Sequence, residues 1–241
     1  MEKVEYRLVR SDDIPFVMEG AGALVKRVIG PGGPLPRIGP LILLDHAEIP
    51  PEVGFPMHPH SGFEILTYIL RGEVRHKDSE GFEAVVGQGG MQHLMTGRGM
   101  WHEEMPGKMG AEALQIWVSL PSDFRDTSPE YRSINPEEIA AIQDGSISRK
   151  VLAGRDGPLR FHREVSIEDM SLKGGVEIPL RDREASYALY LLRGGGHVSL
   201  GGSDLEAREG DILLLRGVEK PLVEPETGDL RFVLFSLSDL S

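Results

Sequence analysis

The chain has 241 residues, 40% of them hydrophobic, and a mean hydropathy of -0.19, which suits a globular protein built as one large β domain or two smaller ones. A formal net charge of -12 argues against a nucleic-acid groove, which needs clustered Lys and Arg, so no direct DNA or RNA partner is expected. With no cysteine there are no disulfides, thiolate ligands or cysteine nucleophile, and any metal must rest on nitrogen and oxygen.

The opening "MEKVEYRLVR" has no signal-peptide core after its charges, and no apolar run reaches the roughly 20 residues of a membrane span. A cytoplasmic protein without a membrane partner is therefore expected. Next comes "LLDHAEIPP", with His46 just upstream of "GFPMHPHSGFE". A strand sends alternate side chains to one face, so His58, His60, Gly62 and Glu64 share a face, and Pro59 suits a strand start or an edge. "FEILTYIL" reads as a buried strand, and His76, after "RGEVR", as a solvated turn residue. "MQHLM" is a further strand. "GRGMWHEEMPG" again puts a histidine and a carboxylate, His102 and Glu104, on one strand face.

Two imidazoles from one strand, with an imidazole and a carboxylate from another, form a ligand set for Fe(II), Mn, Ni, Cu or Zn. Such a set is poor for Ca or Mg. After the strand "ALQIWVSL", "SPEYRSINPEEIAAI" carries Asn135, Pro136 and Glu137 in N-cap, N1 and first-turn order, which predicts a short helix in a linker.

The second half repeats the first. "YLLRG" at Tyr190 stands 122 residues after "YILRG" at Tyr68, and Gly210 in "LEAREGDILLL" stands 121 after Gly89 in "VVGQGGMQHLM". Sliding one copy onto the other puts Leu180 at His58, Asp182 at His60 and Val223 at His102. The second copy thus loses the candidate ligands. His162 and His197 have no His or carboxylate partner at metal spacing and read as structural or surface residues.

The stretches "GFPMHPHSGFE", "GRGMWHEEMPG" and "LQIWVSLPSDFRDTSPEYRSI" resemble the pirin family of bicupins, in their HPHxGFE segment, their HxE segment and their WVNLP-like strand. The likeness is specific over about the first 135 residues and only architectural beyond them. It implies an all-β bicupin, with two jelly-roll-like β-barrel (double-stranded β-helix) domains and a short helix in the linker. The boundaries expected are 1–130 for the metal-bearing domain, 131–150 for the linker and 151–241 for a domain without ligands. It implies one divalent metal per chain, Fe(II) foremost, held by His58, His60, His102 and Glu104. Glu64 is then left to orient a ligand histidine or to pair with Arg71 or Arg75. The family's QWMTAGRG is "QHLMTGRG" here, which places His93 at the pocket or in the core. Phe55, Met57, Phe63 and Trp101 are candidates for an apolar pocket over the metal.

Pirin-like proteins include quercetin 2,3-dioxygenases, so the resemblance implies a small aromatic substrate, O₂, and Glu104 as ligand and base. The alternative it carries is a regulatory pirin, a transcription co-regulator that binds a protein partner without turnover. An open cleft at the metal is the feature that separates the two.

Overall fold

The structure is a computed structural model in which residues 5–180, 182, 184–218 and 220–238 are described. In chain order the first ten strands are β1 (Glu5–Val9), β2 (Phe16–Glu19), β3 (Ala23–Ile29), β4 (Leu41–Ile49), β5 (Phe55–His60), β6 (Phe63–Asp78), β7 (Glu83–Gly87), β8 (Met91–Met95), β9 (Met100–Ser119) and β10 (Glu130–Ile134). They are followed by β11 (Ala141–Asp144), β12 (Ile147–Ala153), β13 (Val165–Leu172), β14 (Val176–Glu177), β15 (Ser186–Arg193), β16 (Gly195–Leu200), β17 (Ser203–Arg208), β18 (Ile212–Arg216), β19 (Leu222–Pro225) and β20 (Leu230–Leu237). Among the described residues the helical segments are three short 3₁₀ turns, and no helix is long and apolar enough to cross a membrane. The start signal at Asn135 gives one of these turns, Pro136–Glu138, closed by a capping box in which the Asn135 N–H donates to Glu138.

Two compact units result. The N-terminal unit is 14–139 with 161–163, and the C-terminal unit takes the residues up to Asp13, 140–160 and those from Glu164. The N-terminal unit holds the sheet β10-β8-β6-β9-β4-β3-β2, with β5 on β9 and β7 on β6. The C-terminal unit holds β1-β18-β15-β20-β13-β12-β11 and a smaller sheet, β14-β19-β16-β17. Residues 131–150, expected as a linker, supply most of β10, all of β11 and the start of β12.

The two large sheets have the same order. Tyr68 pairs with Met91 as Tyr190 pairs with Ile212, which reproduces both sequence offsets. The Ile69 N–H donates to the Gly90 carbonyl at 3.0 Å, and the Leu191 N–H to the Asp211 carbonyl at 3.0 Å. The glycine that ends each "LRG" has a structural reason. Gly72 (φ 75) and Gly194 (φ 80) occupy left-handed backbone, and an added Cβ would run into the carbonyl oxygens of Gly110 and Asp229 respectively.

In the N-terminal unit this glycine makes a corner. The long strands β6 and β9 pair along their length with register breaks at 69/71 and 72/74, and Gly110 (φ 76) faces Gly72 across the break. The strands fold over there, as strands do when they pass from one sheet of a sandwich to the other. Two inward rows result on the far side of the corner. Val25, Ala47, Ala113 and Ile69 form an apolar row across β3, β4, β9 and β6, and Arg27, Asp45, Gln115, Thr67 and Gln92 form a polar row two residues along each strand. The small alanines leave room, and a cavity of about 280 Å³ lies over them.

In the C-terminal unit Val223 pairs with Val176 and Val198. These valines pack into one apolar cluster with Ile178, Leu180 and Leu213.

Candidate metal centre

β5 and the first arm of β9 bring the three histidines together. His58 pairs with His102 across the strands, and His60 follows on the same face. The ring centroids are 4.5 Å apart for His58 and His102, 4.6 Å for His58 and His60, and 4.9 Å for His60 and His102. One ligand nitrogen from each lies within 4.8 Å of the other two. The Nδ1 of His58 is 2.8 Å from the Pro56 carbonyl, which only accepts, so Nδ1 carries the proton and Nε2 keeps its lone pair.

His102 is fully buried, and neither of its ring nitrogens has a hydrogen-bond partner. A buried polar atom without a partner costs about 1–3 kcal/mol. A cation shared with His58 and His60 would satisfy one of the two, and three imidazoles suit a divalent transition metal. Burial, reinforced by the neighbouring imidazoles, pushes His60 and His102 down to about 3, so both stay neutral, the form that coordinates.

Glu104 is buried beside them, held across the corner by the polar row. Its Oε1 accepts from Thr67 Oγ1 at 2.9 Å and from the Gln92 amide, and its Oε2 accepts from Gln115 Nε2 at 2.8 Å. It lies outside the three-histidine set. The Tyr131 hydroxyl donates to Gln92 Oε1 at 3.1 Å, and burial among Glu104 and Asp78 pushes that phenol up. Oε2 with one donor retains a lone pair, and Glu104 lines the cavity together with His58, His60, Thr67 and Trp117.

The remaining candidates fall in three places. Phe55 lines the cavity, while Phe63 stacks on Trp117 at 4.4 Å and touches His60 at 5.2 Å. Met57 (41% exposed) and Trp101 (51% exposed) do not line it, a correction that strand alternation explains: each is next in sequence to an inward histidine and so faces out. Glu64 meets none of the readings given to it. It is fully buried and accepts from His93 Nε2 at 3.0 Å, from the His162 backbone N–H at 2.9 Å and from His162 Nδ1 at 3.1 Å. His93 is thereby a core histidine, and His162 has the carboxylate partner that its spacing hid. His46 pairs with Glu112 at 2.9 Å. His76, expected in a solvated turn, is buried.

Sequence reasoning passed over Thr67, Gln92, Gln115 and Trp117, and an ion cluster on the cavity wall in which Arg27 binds Asp45 through two nitrogens at 2.9 and 3.1 Å and Glu19 at 2.9 Å. A glutamine at an inward position of an otherwise apolar strand, as in "MQHLM" and "ALQIWVSL", was the available signal.

A family model described as Pirin matches residues 26–118. A pirin-like protein of Arabidopsis thaliana is 32% identical over 234 residues, covering 90% of this chain and 74% of that protein. The solved structure of a quercetin 2,3-dioxygenase from Acinetobacter baumannii is similar, with a TM-score of 0.82 at 23% identity over 98% of this chain and 79% of that one. So is a bacterial pirin from Escherichia coli in complex with nickel(II), with a TM-score of 0.81 at 21% identity over 98% of this chain and 100% of the other. The shared architecture is the all-β bicupin, and the chain belongs to the pirin family.

Proposed function

We propose that this pirin is a metal-dependent dioxygenase of the quercetin 2,3-dioxygenase type, acting on a flavonol or a related small aromatic with O₂. The observation that carries the reading is the three-histidine cluster, with His102 unpartnered, opening on a cavity whose floor is apolar and whose walls are polar. His58, His60 and His102 hold the metal, Fe(II) foremost, with Glu104 able to join through Oε2. The metal, when bound, supplies Lewis acidity toward the substrate's hydroxyl and carbonyl oxygens and a site for O₂.

The chain's own residues do the rest. Ala47, Ala113 and Val25 give a flat apolar floor that takes an aromatic ring and excludes water. When its remaining lone pair is not given to the metal, Glu104 Oε2 takes the hydroxyl proton, and three fixed donors keep the carboxylate oriented for that transfer. Arg27 stands two strands from Gln115, about 10 Å away, with Asp45 on the strand between them, and Asp45 and Glu19 offer carboxylate oxygens to hydroxyl groups at the far end of the substrate.

Protein loaded anaerobically with Fe(II) should take up one metal per chain and consume O₂ when quercetin is added, and His60→Ala should abolish both. Stoichiometric metal without O₂ uptake would move the assignment to the regulatory reading, with a protein partner in place of a substrate.

A further inference from the structure

His76 has no place in the ligand set, yet its side chain and that of Asp78 are fully buried beside it. The two residues alternate with Lys77 on β6, and Asp78 pairs with His102 across to β9. His76 Nε2 is 2.9 Å from Asp78 Oδ2, while Asp78 Oδ1 accepts the backbone N–H groups of Glu80 at 2.9 Å and Phe82 at 3.0 Å. The carboxylate is thus fixed by its own turn. One face of the imidazole lies flat on Tyr131, at 4.1 Å and 9°, and the ring stands 5.5 Å from His102.

The hydrogen-bond inventory then constrains the tautomer. A carboxylate only accepts, so in the neutral ring Nε2 of His76 carries the proton and Nδ1 carries a lone pair. That Nδ1 is buried and has no partner, like both nitrogens of His102. A histidine that gives one nitrogen to a metal must carry a proton on the other, and when buried that N–H needs an acceptor. The ring centroids are 5.5 Å apart with no hydrogen bond between the rings as they stand, and a small turn of either ring brings facing nitrogens within reach. The unmet acceptor and the unmet donor are neighbours.

We propose that His76 is the positioning residue of the metal centre, its Nδ1 accepting the N–H of metal-bound His102 while Asp78 fixes its tautomer. The inference rests on His58, His60 and His102 being the ligands. In the chain Asp78, His76, His102, metal, the carboxylate acts without touching the ligand. Its negative charge makes His102 a stronger donor through an intervening neutral ring, and stacking on Tyr131 keeps that ring from turning away.

Zn(II), which is diamagnetic, is the probe. In the Zn(II)-loaded wild type, nitrogen-15 NMR of the histidines should show His76 as the Nε2–H tautomer and a hydrogen-bonded N–H on His102, and His76 protonated at Nδ1 would overturn the proposal. This readout needs no variant. In competition with a chromophoric chelator, His76→Phe, which keeps the stack but loses the acceptor, should bind Zn(II) about 10 to 100-fold more weakly, and His76→Gln should recover part of the loss. Wild-type affinity in a folded His76→Phe would overturn the proposal while leaving the ligand reading intact. A wild type that takes up no Zn(II) would remove both.

Discussion

Trp117 fixes the amide of Gln115 from the side away from Glu104: the indole Nε1 donates to Gln115 Oε1 at 3.2 Å, and Gln115 Nε2 donates to Glu104 Oε2 at 2.8 Å. The indole decides which end of the amide faces the carboxylate. Trp117→Phe keeps the ring packed on Phe63 but frees the amide to flip, which would set an oxygen against Glu104. We expect kcat/KM for the flavonol to fall about 10-fold with metal stoichiometry unchanged, whereas Gln115→Leu should cost about 10 to 100-fold. Steady-state O₂ uptake measures both.

The metal-free protein should lose stability in mild acid. His60 and His102 are held at about 3 in the folded chain, against about 6.5 unfolded, so the unfolded state binds more protons below the higher value. Their contribution is whole above pH 6.5 and is lost as pH falls from 6.5 toward 3. The slope is at most ~1.4 kcal/mol per pH unit for the more buried His102 and less for His60. Urea melts of metal-free protein between pH 7.5 and 5 should show the decline, and His102→Leu should flatten it.

Glu64 should matter to folding and leave the metal alone. Replacing it with leucine strands His93 and the His162 backbone N–H without their acceptor, and a buried donor left unsatisfied costs about 1–3 kcal/mol. Denaturant melts should show that loss while Zn(II) uptake remains stoichiometric. Loss of metal in a folded Glu64→Leu protein would contradict the structural role.

The cavity floor offers a steric test. Ala47→Phe puts a ring where we place the substrate, on a strand that holds no ligand. KM for quercetin should rise at least about 10-fold with metal content unchanged, if the cavity is the substrate site.

Equivalent corners should respond differently. Gly72→Ala and Gly194→Ala each force a side chain into left-handed backbone, at about 1–3 kcal/mol. Only the first also shifts the corner that brings Glu104 to Gln115, so it alone should lower turnover at a temperature where both proteins are folded.

What could be read in the sequence was local or periodic. His58, His60 and His102 followed from strand parity, and the duplication followed from "YILRG" and "YLLRG", because a left-handed corner admits little but glycine in either copy. What escaped was set by the corner itself. "GRGMWHEEMPG" and "ALQIWVSL" read as two strands but are the arms of one, Met100–Ser119, folded so that residues eleven apart hydrogen-bond. His76 escaped for the same reason: β6 continues through Gly72, so its alternation reaches His76 and Asp78, where sequence alone suggested a turn. Thr67 and Gln92 come to Glu104 through cross-strand register, which no spacing along the chain records.

β1 is an edge strand of the large C-terminal sheet, and its Glu5–Val9 pair with Arg216–Ile212. β1 therefore leaves the ribosome some two hundred residues before its partner. Residues 14–139 hold all of their own sheet and can fold while synthesis continues, but β1 must wait through some two hundred residues of chain growth. Its exposed ladder groups are in the meantime free to pair with another chain, which makes β1 the segment of the nascent chain where a chaperone is most needed.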